Sequence, residues 1–474
     1  MAHEFKKWKY ENELIQRFED SIKMSKKIFF DLNVFELIVN YYIDTGKNKK
    51  ALQAVTIAIE QYPFSTELIT FKAQIFFNQK QFEKAINLLE ELHQIHPTDT
   101  EILILLGSVY SASGELDVAI TFYEKALKFS IKDNDEIYYN MGLIYQNQEK
   151  YNKAIKCYKK AIQENKNNEG AIYELAFCFD ITGKLESSLE YYYKFIEEDP
   201  FCVSAWYNLG VVNNKLEKYT EAIHAYDYAI ALDDTFASAW FNQGITYLNI
   251  LEFSKARDNF WKTKEIEDPS SELYYYLGVA YEGLSQNELG LKYFMKATKL
   301  DPLYDEAWFG AGSCLEKMDK CYQALSFFTK AVKLDPQNAE YWKAVAQAEF
   351  NIGNNVSSLI AFEESACLNP HDKEIWLDWS YIYFESGEYD KAIEVLQNGI
   401  AEIKDEPDFL YRLAIYLIEG GEYKRALIFL ESALVLDFEG HTVMFDFLKK
   451  PEMQKALFKI INQYKKNNNF NNLT

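Results

Sequence analysis

The chain has 474 residues and a formal net charge of -22 at pH 7. The phosphate backbone of a nucleic acid repels such an average charge, so composition argues against nucleic-acid binding. Only 19 glycines and 9 prolines occur, which disfavours a sheet protein with many tight turns. No apolar run reaches the roughly 18 residues of a membrane span, so we expect no span and a cytoplasmic location.

The first element in chain order is a predicted N-terminal capping helix within residues 1–31. Leu14, Phe18 and Ile22 stand at i, i+4 and i+8, which places them on one side of a helix. No apolar stretch typical of a signal peptide precedes them. An amphipathic helix at this place is suited to covering the open end of a repeat array.

A 34-residue repeat follows the capping helix. The segments VSAWYNLG, ASAWFNQG, SELYYYLG and DEAWFGAG begin at Val203, Ala237, Ser271 and Asp305, each 34 residues after the last. Extending this frame in both directions predicts twelve repeats over residues 32–440, with one extra residue near Asp133. The regular spacing predicts an array of similar units and argues against separate globular domains.

Within the repeat, large and small residues alternate at fixed positions. Position 4 is large and apolar, and position 8 is glycine or another small residue in nearly every repeat. Position 20 is always small, position 24 is always large, and position 32 is proline in half of the repeats. This spacing predicts two packed helices per repeat, with small residues at close approaches and proline ending the second helix.

The pattern resembles the tetratricopeptide repeat, whose signature has Trp, Leu-Gly, Tyr, Ala, Phe and Pro at these spacings. The most complete match in this chain is Trp206, Leu209, Gly210, Ala222, Tyr226 and Ala229. The resemblance implies an all-α fold: an α-solenoid of about twelve helix pairs wound into a right-handed superhelix, with capping helices at both ends.

The C-terminal residues depart from the repeat. Apolar residues on either side of Pro451 predict a short helix and a longer helix within residues 441–465, which together cap the array. The polar, Asn-rich residues 466–474 are expected to be disordered.

No motif for catalysis or for cofactor binding is found. The sequence lacks a phosphate-binding GxxxxGK[ST] loop, a GxSxG elbow and an HExxH pair. His93 and His96 share a helical face, but their position at a helix end favours a structural role. The six cysteines are dispersed and form no CxxC pair. We therefore expect neither enzymatic activity nor a cofactor or metal.

The resemblance implies that positions 2, 5, 9, 12 and 13 face a concave groove that binds a peptide. Position 5 is aromatic in six consecutive repeats, and position 9 of one of them is Phe177. Asparagine recurs at position 6, where its amide could hold a peptide backbone. The predicted peptide-binding residues are Tyr139, Asn140, Tyr173, Phe177, Tyr207, Asn208, Phe241, Asn242, Tyr275 and Phe309. The alternative is that the aromatic rings only cover one another along the inner wall.

Charge along the predicted groove varies with the repeat. Position 2 is acidic in most repeats, which also suits a first helical turn, but it is Gly170, Ser204 and Ser238 in the fifth to seventh repeats. Groove cations are limited to Lys215, Lys317 and Lys343, which argues against a chaperone C-terminal tail as ligand. We expect a protein or peptide partner with an apolar stretch and basic flanks.

Three hypotheses for function remain open. The first is a protein-interaction scaffold that binds a peptide segment in the concave groove. The second is a structural or regulatory subunit of a larger assembly that uses its convex face or its ends. The third is a non-catalytic arm that delivers substrates to a separate enzyme.

Overall fold

The computed structural model describes residues 2–24, 29–132, 134–448 and 451–471. These residues form helices and turns with no β-strand. The chain divides into two compact units, residues 1–233 and 234–474, which are called unit 1 and unit 2. No helix in the described part of the chain combines the length and the apolar character needed to cross a bilayer.

Unit 1 consists of an N-terminal helix and six helix pairs. Each pair has a first helix and a second helix that pack against each other. The N-terminal helix is α1 (Ala2–Lys23). The pairs are α2 (Leu32–Asp44) with α3 (Asn48–Gln61), α4 (Thr66–Asn78) with α5 (Phe82–Ile95), α6 (Thr100–Ser113) with α7 (Leu116–Phe129), α8 (Asn134–Asn147) with α9 (Tyr151–Glu164), α10 (Glu169–Ile181) with α11 (Leu185–Glu198), and α12 (Val203–Lys215) with α13 (Tyr219–Leu232).

Unit 2 consists of six further helix pairs and a C-terminal cap. The pairs are α14 (Ala237–Asn249) with α15 (Phe253–Ile266), α16 (Ser271–Gly283) with α17 (Asn287–Leu300), α18 (Asp305–Glu316) with α19 (Cys321–Leu334), α20 (Ala339–Ile352) with α21 (Asn355–Leu368), α22 (Lys373–Glu385) with α23 (Tyr389–Glu402), and α24 (Pro407–Glu419) with α25 (Tyr423–Leu436). The cap is a 3-10 turn (Glu439–Val443), α26 (Met444–Phe447) and α27 (Pro451–Asn471).

The helix boundaries confirm the predicted repeat frame. First helices begin at Val203, Ala237, Ser271 and Asp305, the residues at which the repeated segments start. The all-α solenoid of about twelve helix pairs is therefore confirmed.

A glycine at position 8 allows close packing within its helix pair because the aromatic ring at position 24 of the same repeat lies directly over it. A Cβ built on the position-8 glycine would lie 2.5–2.7 Å from a ring carbon in five repeats, at Gly107, Gly210, Gly244, Gly278 and Gly312. Carbon atoms pack best at about 3.5–4.0 Å, so glycine is the residue that accommodates the ring without displacement.

Position 4 joins successive repeats. The indole N–H of Trp206 donates to the carbonyl of Pro200 at 2.8 Å, and that of Trp376 donates to the carbonyl of Pro370 at 2.9 Å. Trp308 and Trp342 make the same bond to prolines in the preceding turns. The proline that ends one repeat therefore also supplies an acceptor for the next repeat.

A left-handed residue at position 15 makes the turn within every repeat. The amide of Lys218 donates to the carbonyl of Asn213 at 2.9 Å, a bond that closes a helix end of the Schellman type. Half of the position-15 residues are glycine. The others adopt φ between 57° and 60°, and they are Lys80, Glu149, Glu217, Leu251, Ser285 and Asp319.

The structure describes a helix at each end of the repeat array. Phe18 of α1 is buried, with its ring centroid 5.9 Å from that of Phe30. The expected disorder of residues 466–474 disagrees with the structure, because α27 continues to Asn471 and residues 472–474 lie outside the described residues. A helix already formed gains one hydrogen bond per added residue, and the Lys465 ammonium lies 5.4 Å from the Phe438 ring.

Candidate functional site

The first helices carry all ten predicted site residues. Positions 5, 9, 12 and 13 lie on one side of a helix, and the surface that they form is called the first-helix face. An ion pair at 2.5 Å between Asp180 of α10 and Lys215 of α12, at positions 12 and 13, shows that neighbouring first helices meet there. The unit boundary at residues 233 and 234 divides the ten predicted residues, so the two sets are described separately.

In unit 1, the aromatic rings at position 5 differ in their surroundings. Tyr139 and Tyr207 are half-buried, and each ring centroid lies 6.1 Å from that of the position-24 tyrosine in the same repeat, Tyr158 or Tyr226. These two rings therefore contribute to packing of their helix pairs. Tyr173 is 38% exposed, and its ring centroid lies 6.3 Å from that of Tyr207.

Helix α10 presents a stripe of exposed apolar side chains. Tyr173, Phe177 and Ile181 stand at i, i+4 and i+8 and are 38%, 45% and 52% exposed. These three residues are called the α10 stripe. Ile181 was missed in the sequence analysis, although its spacing from Phe177 could have identified it. An exposed apolar row on one helix is typical of a surface that contacts another molecule.

In unit 2, the predicted aromatic residues mainly pack within the repeat. Phe241, Tyr275 and Phe309 are half-buried. Their ring centroids lie 5.7, 5.7 and 5.5 Å from those of the position-24 phenylalanines of the same repeats. Burial raises the pKa of the Tyr275 hydroxyl to about 12, and Glu306 adds to the shift. The six position-5 aromatics are thus not equally exposed, and five of them pack against the position-24 ring of the same repeat.

The asparagines do not form an exposed ladder. Asn140 is half-buried. Asn208 is only 3% exposed and is removed from the candidate site, because an enclosed amide has no access to a peptide backbone. The Asn242 amide already donates to the carbonyl of Ser238 at 3.0 Å. The sequence indicated the periodicity of these residues, whereas their enclosure depends on neighbouring helices.

Two of the non-acidic residues at position 2 have a packing explanation. A Cβ at Gly170 would lie 3.0 Å from the Tyr139 ring, so glycine leaves room for the aromatic residue of the preceding repeat. Ser204 is buried. Burial raises the pKa of the Tyr173 hydroxyl, and a hydrogen bond with the Ser204 side chain opposes that shift. The loss of acid at these positions therefore accommodates tyrosine, besides lowering charge near the stripe.

The three cations on the first-helix face are each paired with an acid. Besides Lys215, the Lys317 ammonium lies 2.8 Å from Glu282, and the Lys343 ammonium lies 3.1 Å from Asp372. Pairing neutralises these lysines locally, so they do not offer a free positive charge to an anionic ligand.

The described residues contain no group of three or more His, Cys, Asp and Glu side chains arranged to hold a metal ion. His93 and His96 have separate surroundings. The His93 ring packs edge-on against Phe122 at 5.7 Å, while His96 lies 3.3 Å from the Thr66 hydroxyl.

Protein-family models match several segments of the chain that form helix pairs in the structure. Tetratricopeptide repeat models match residues 203–236, 271–302, 305–338 and 383–438. The model of the Tetratricopeptide repeat protein 21 C-terminal ARM domain matches residues 12–180. The chain contains tetratricopeptide repeats. The resemblance inferred from Trp206, Gly210 and Tyr226 is thus confirmed.

Similarity to individual proteins is limited to segments of the chain. The BBSome complex member BBS4 of Bos taurus is 28% identical over 116 residues, which are 24% of this chain and 22% of BBS4. The TPR repeat-containing protein YpiA of Bacillus subtilis is 29% identical over 124 residues, which are 26% of this chain and 29% of YpiA. The chain therefore spans less than a third of the length of either relative.

Among solved structures, the APC/C hetero-tetramer Cut9–Hcn1 is similar, with a TM-score of 0.42 and 14% sequence identity. The match covers 84% of this chain and 90% of the other.

Proposed function

We propose that this protein is an interaction scaffold that binds a peptide segment of a partner on the first-helix face of unit 1. The observation that carries the proposal is the α10 stripe of Tyr173, Phe177 and Ile181. Aromatic residues are favoured anchors at protein interfaces because they bury a large area with few rotatable bonds. The general role of tetratricopeptide repeats in protein interaction supports the same reading.

The exposed apolar area of the α10 stripe is large enough to contribute substantially to the free energy of binding. Fully burying one large apolar side chain stabilises by about 1.5–3 kcal/mol, and the three side chains are between 38% and 52% exposed. Covering all three would therefore supply about 2–4 kcal/mol before the entropic cost of association. This free energy is too small for stable binding by itself, so a partner must make further contacts. An extended or helical peptide can make them, whereas a single side chain cannot.

Charge near the stripe favours a peptide that is apolar in the middle and basic outside it. Gly170 and Ser204 carry no charge beside Tyr173, and Lys215 is paired with Asp180. Exposed Glu136 in the preceding repeat lies at the first turn of α8. An apolar stretch with basic flanks would match this distribution.

The test compares two matched variants of the full chain. One combines Tyr173→Ala, Phe177→Ala and Ile181→Ala. The control replaces three exposed apolar residues on second helices of the same unit, by Phe129→Ala, Tyr193→Ala and Leu232→Ala. Helicity is verified by circular dichroism, and partners co-purified from the host at low salt are quantified by mass spectrometry.

We expect the stripe variant to lose the partners that the wild type and the control both retain. Synthetic peptides that cover the recovered partners should then bind the wild type and not the stripe variant. Full recovery by a folded stripe variant would contradict peptide binding at this surface.

A second candidate function is supported by the C-terminal end of unit 2. An apolar cavity of about 140 Å³ lies between α24, α25 and α27. Leu427 and Ile460 line this cavity and are 40% and 36% exposed, and Phe458 of α27 is 57% exposed. Such an end suits a subunit that packs on a neighbour in a larger assembly, as BBS4 is named a member of the BBSome complex. Leu427→Lys with Phe458→Lys would release partners under this alternative, while the α10 stripe variant would retain them.

A further inference from the structure

An open pocket of about 300 Å³ lies on the first-helix face of unit 2. Its walls come from α18, α20 and α22, the first helices of three consecutive repeats, with one contribution from α21. The volume is at the small end of the range of ligand pockets, which suits one side chain or a group of similar size. The lining combines carboxylates, amides and aromatic rings: Glu316, Gln347, Phe350, Asn351, Asp378 and Tyr381.

The two carboxylates come from the outer two of the three first helices. Glu316 ends α18 and Asp378 lies in α22, so α20 stands between them along the chain and supplies Gln347 and Phe350. The Gln347 amide donates to Asp378 Oδ2 at 2.8 Å, which holds that carboxylate in place. The aspartate retains its other oxygen as an acceptor.

The Glu316 carboxylate is partly removed from water, and the neighbouring Lys317 is paired with a different acid. Burial raises the pKa of its carboxyl group, and Lys317 opposes that shift. The Lys317 ammonium binds Glu282 at 2.8 Å, and Glu282 also accepts the Ser313 hydroxyl at 2.8 Å. A carboxylate removed from water without a close cation gains the most from a cation supplied by a ligand.

The aromatic walls add a second feature suited to positive charge. The ring centroids of Phe350 and Tyr381 are 6.1 Å apart. The guanidinium carbon of Arg412, which is not part of the lining, lies 6.0 Å from the Tyr381 centroid and 3.7 Å from that of Phe447. Aromatic rings in this part of the chain therefore already associate with a guanidinium group, as the ring quadrupole favours.

We propose that this pocket binds the guanidinium group of an arginine side chain in a partner peptide. Glu316 and Asp378 would accept its N–H groups, and one planar face would lie against an aromatic ring of the lining, since the rings of Phe350 and Tyr381 meet edge-to-face at 76°. The guanidinium fits this combination better than an ammonium does, because its flat face can stack on a ring while its five in-plane N–H groups point outward to the carboxylates. The proposal is independent of the α10 stripe, since no residue of α10 lines the pocket.

The probe is N-acetyl-arginine amide, and its neutral isostere N-acetyl-citrulline amide is the matched control ligand. Binding to the full chain is measured by saturation-transfer NMR titration at low salt. N-acetyl-lysine amide measures the preference for guanidinium over ammonium. The protein variants are Glu316→Gln with Asp378→Asn, chosen because the asparagine carbonyl can still accept from Gln347. Glu340→Gln, an exposed acid outside the pocket lining, is the control variant.

We expect arginine amide to bind more tightly than lysine amide and citrulline amide to bind weakly. Charge-assisted hydrogen bonds are worth enough that the double variant should lose at least about tenfold in affinity, while the Glu340→Gln variant should match the wild type. Equal binding of arginine and citrulline amides, no binding of either, or wild-type affinity in a folded double variant would each overturn the proposal. The α10 stripe variant should bind arginine amide normally, so failure of the peptide site is distinguishable from failure of this pocket.

Discussion

The close contact between Gly210 and Tyr226 gives a quantitative prediction about packing. A Cβ at Gly210 would lie 2.5 Å from Tyr226 Cε1 and 2.7 Å from Cδ1, about 1 Å closer than carbon atoms pack. Tyr226 is fully buried, and its ring also contacts that of Tyr207, with 6.1 Å between centroids. The ring therefore cannot move away without disturbing its surroundings.

The expected effect combines two opposing contributions. Alanine is favoured over glycine inside a helix by up to about 1 kcal/mol. Overpacking in an enclosed site costs about 1–3 kcal/mol. Gly210→Ala should consequently lower the free energy of unfolding by up to about 2 kcal/mol, although helix propensity alone predicts an increase. Gly210→Leu inserts three more heavy atoms and should destabilise by several kcal/mol, with the same result expected at Gly244.

The assay must resolve local stability, because repeat arrays need not unfold in one step. We would measure hydrogen exchange of α12 and α13 together with urea unfolding by circular dichroism. In a Tyr226→Ala background, Gly210→Ala should become stabilising by about 1 kcal/mol, since the opposing ring is absent. Ala176→Gly, at the same repeat position in a repeat that already accommodates a methyl group, should destabilise by about 1 kcal/mol. Stabilisation by Gly210→Ala in the wild-type background would refute the close-approach argument.

Two further predictions concern a turn and a surface ion pair. Leu251 is 71% exposed and adopts the left-handed backbone conformation, with φ of 60°. Leu251→Gly should therefore raise the free energy of unfolding of unit 2 by about 1 kcal/mol, as measured by urea unfolding. A lower free energy of unfolding in this variant would contradict backbone strain at the turn. The hydrogen bond from Lys50, 2.6 Å from Glu19, holds the pKa of the Glu19 carboxyl below its usual range, and Tyr42 contributes. This stabilisation is present above the ordinary carboxyl pKa and is lost as pH falls through the lowered value. The protection factors of the α1 amides, which remove the intrinsic pH dependence of amide exchange, should therefore fall on acidification in the wild type. Glu19→Gln should reduce that loss of protection by less than about 1 kcal/mol, whereas an identical pH response would contradict the assignment.

Much of the fold was predictable because the residues that pack against each other within a repeat are set by their spacing in the sequence of that repeat. Small residues such as Gly210 and large residues such as Tyr226 recur at fixed spacing, and helical periodicity alone assigns them to facing surfaces. The left-handed turn at position 15 was not predicted. Residues such as Leu251 and Glu217 carry no sequence signal for positive φ, and the helix packing on both sides imposes it.

The candidate site was predicted less completely. Tyr173 and Phe177 were identified from their positions and are exposed. Position 5 alone could not separate Tyr173 from Tyr207, because exposure depends on where the position-24 ring of the same repeat lies. Asn208 follows the same periodicity as Asn242 and yet is enclosed. The pocket around Glu316 joins residues from three repeats, so no single repeat contained its pattern.

The sequence by itself determined the helix pairs, their number and their repeating contacts, since these depend on local propensity and on spacing within one repeat. Only the tertiary structure decided which of the equivalent residues remain exposed and which acids pair with Lys215, Lys317 and Lys343. The physical reason is that burial and ion pairing depend on distances between successive repeats. Substitutions at neighbouring positions change those distances, whereas the 34-residue period stays the same.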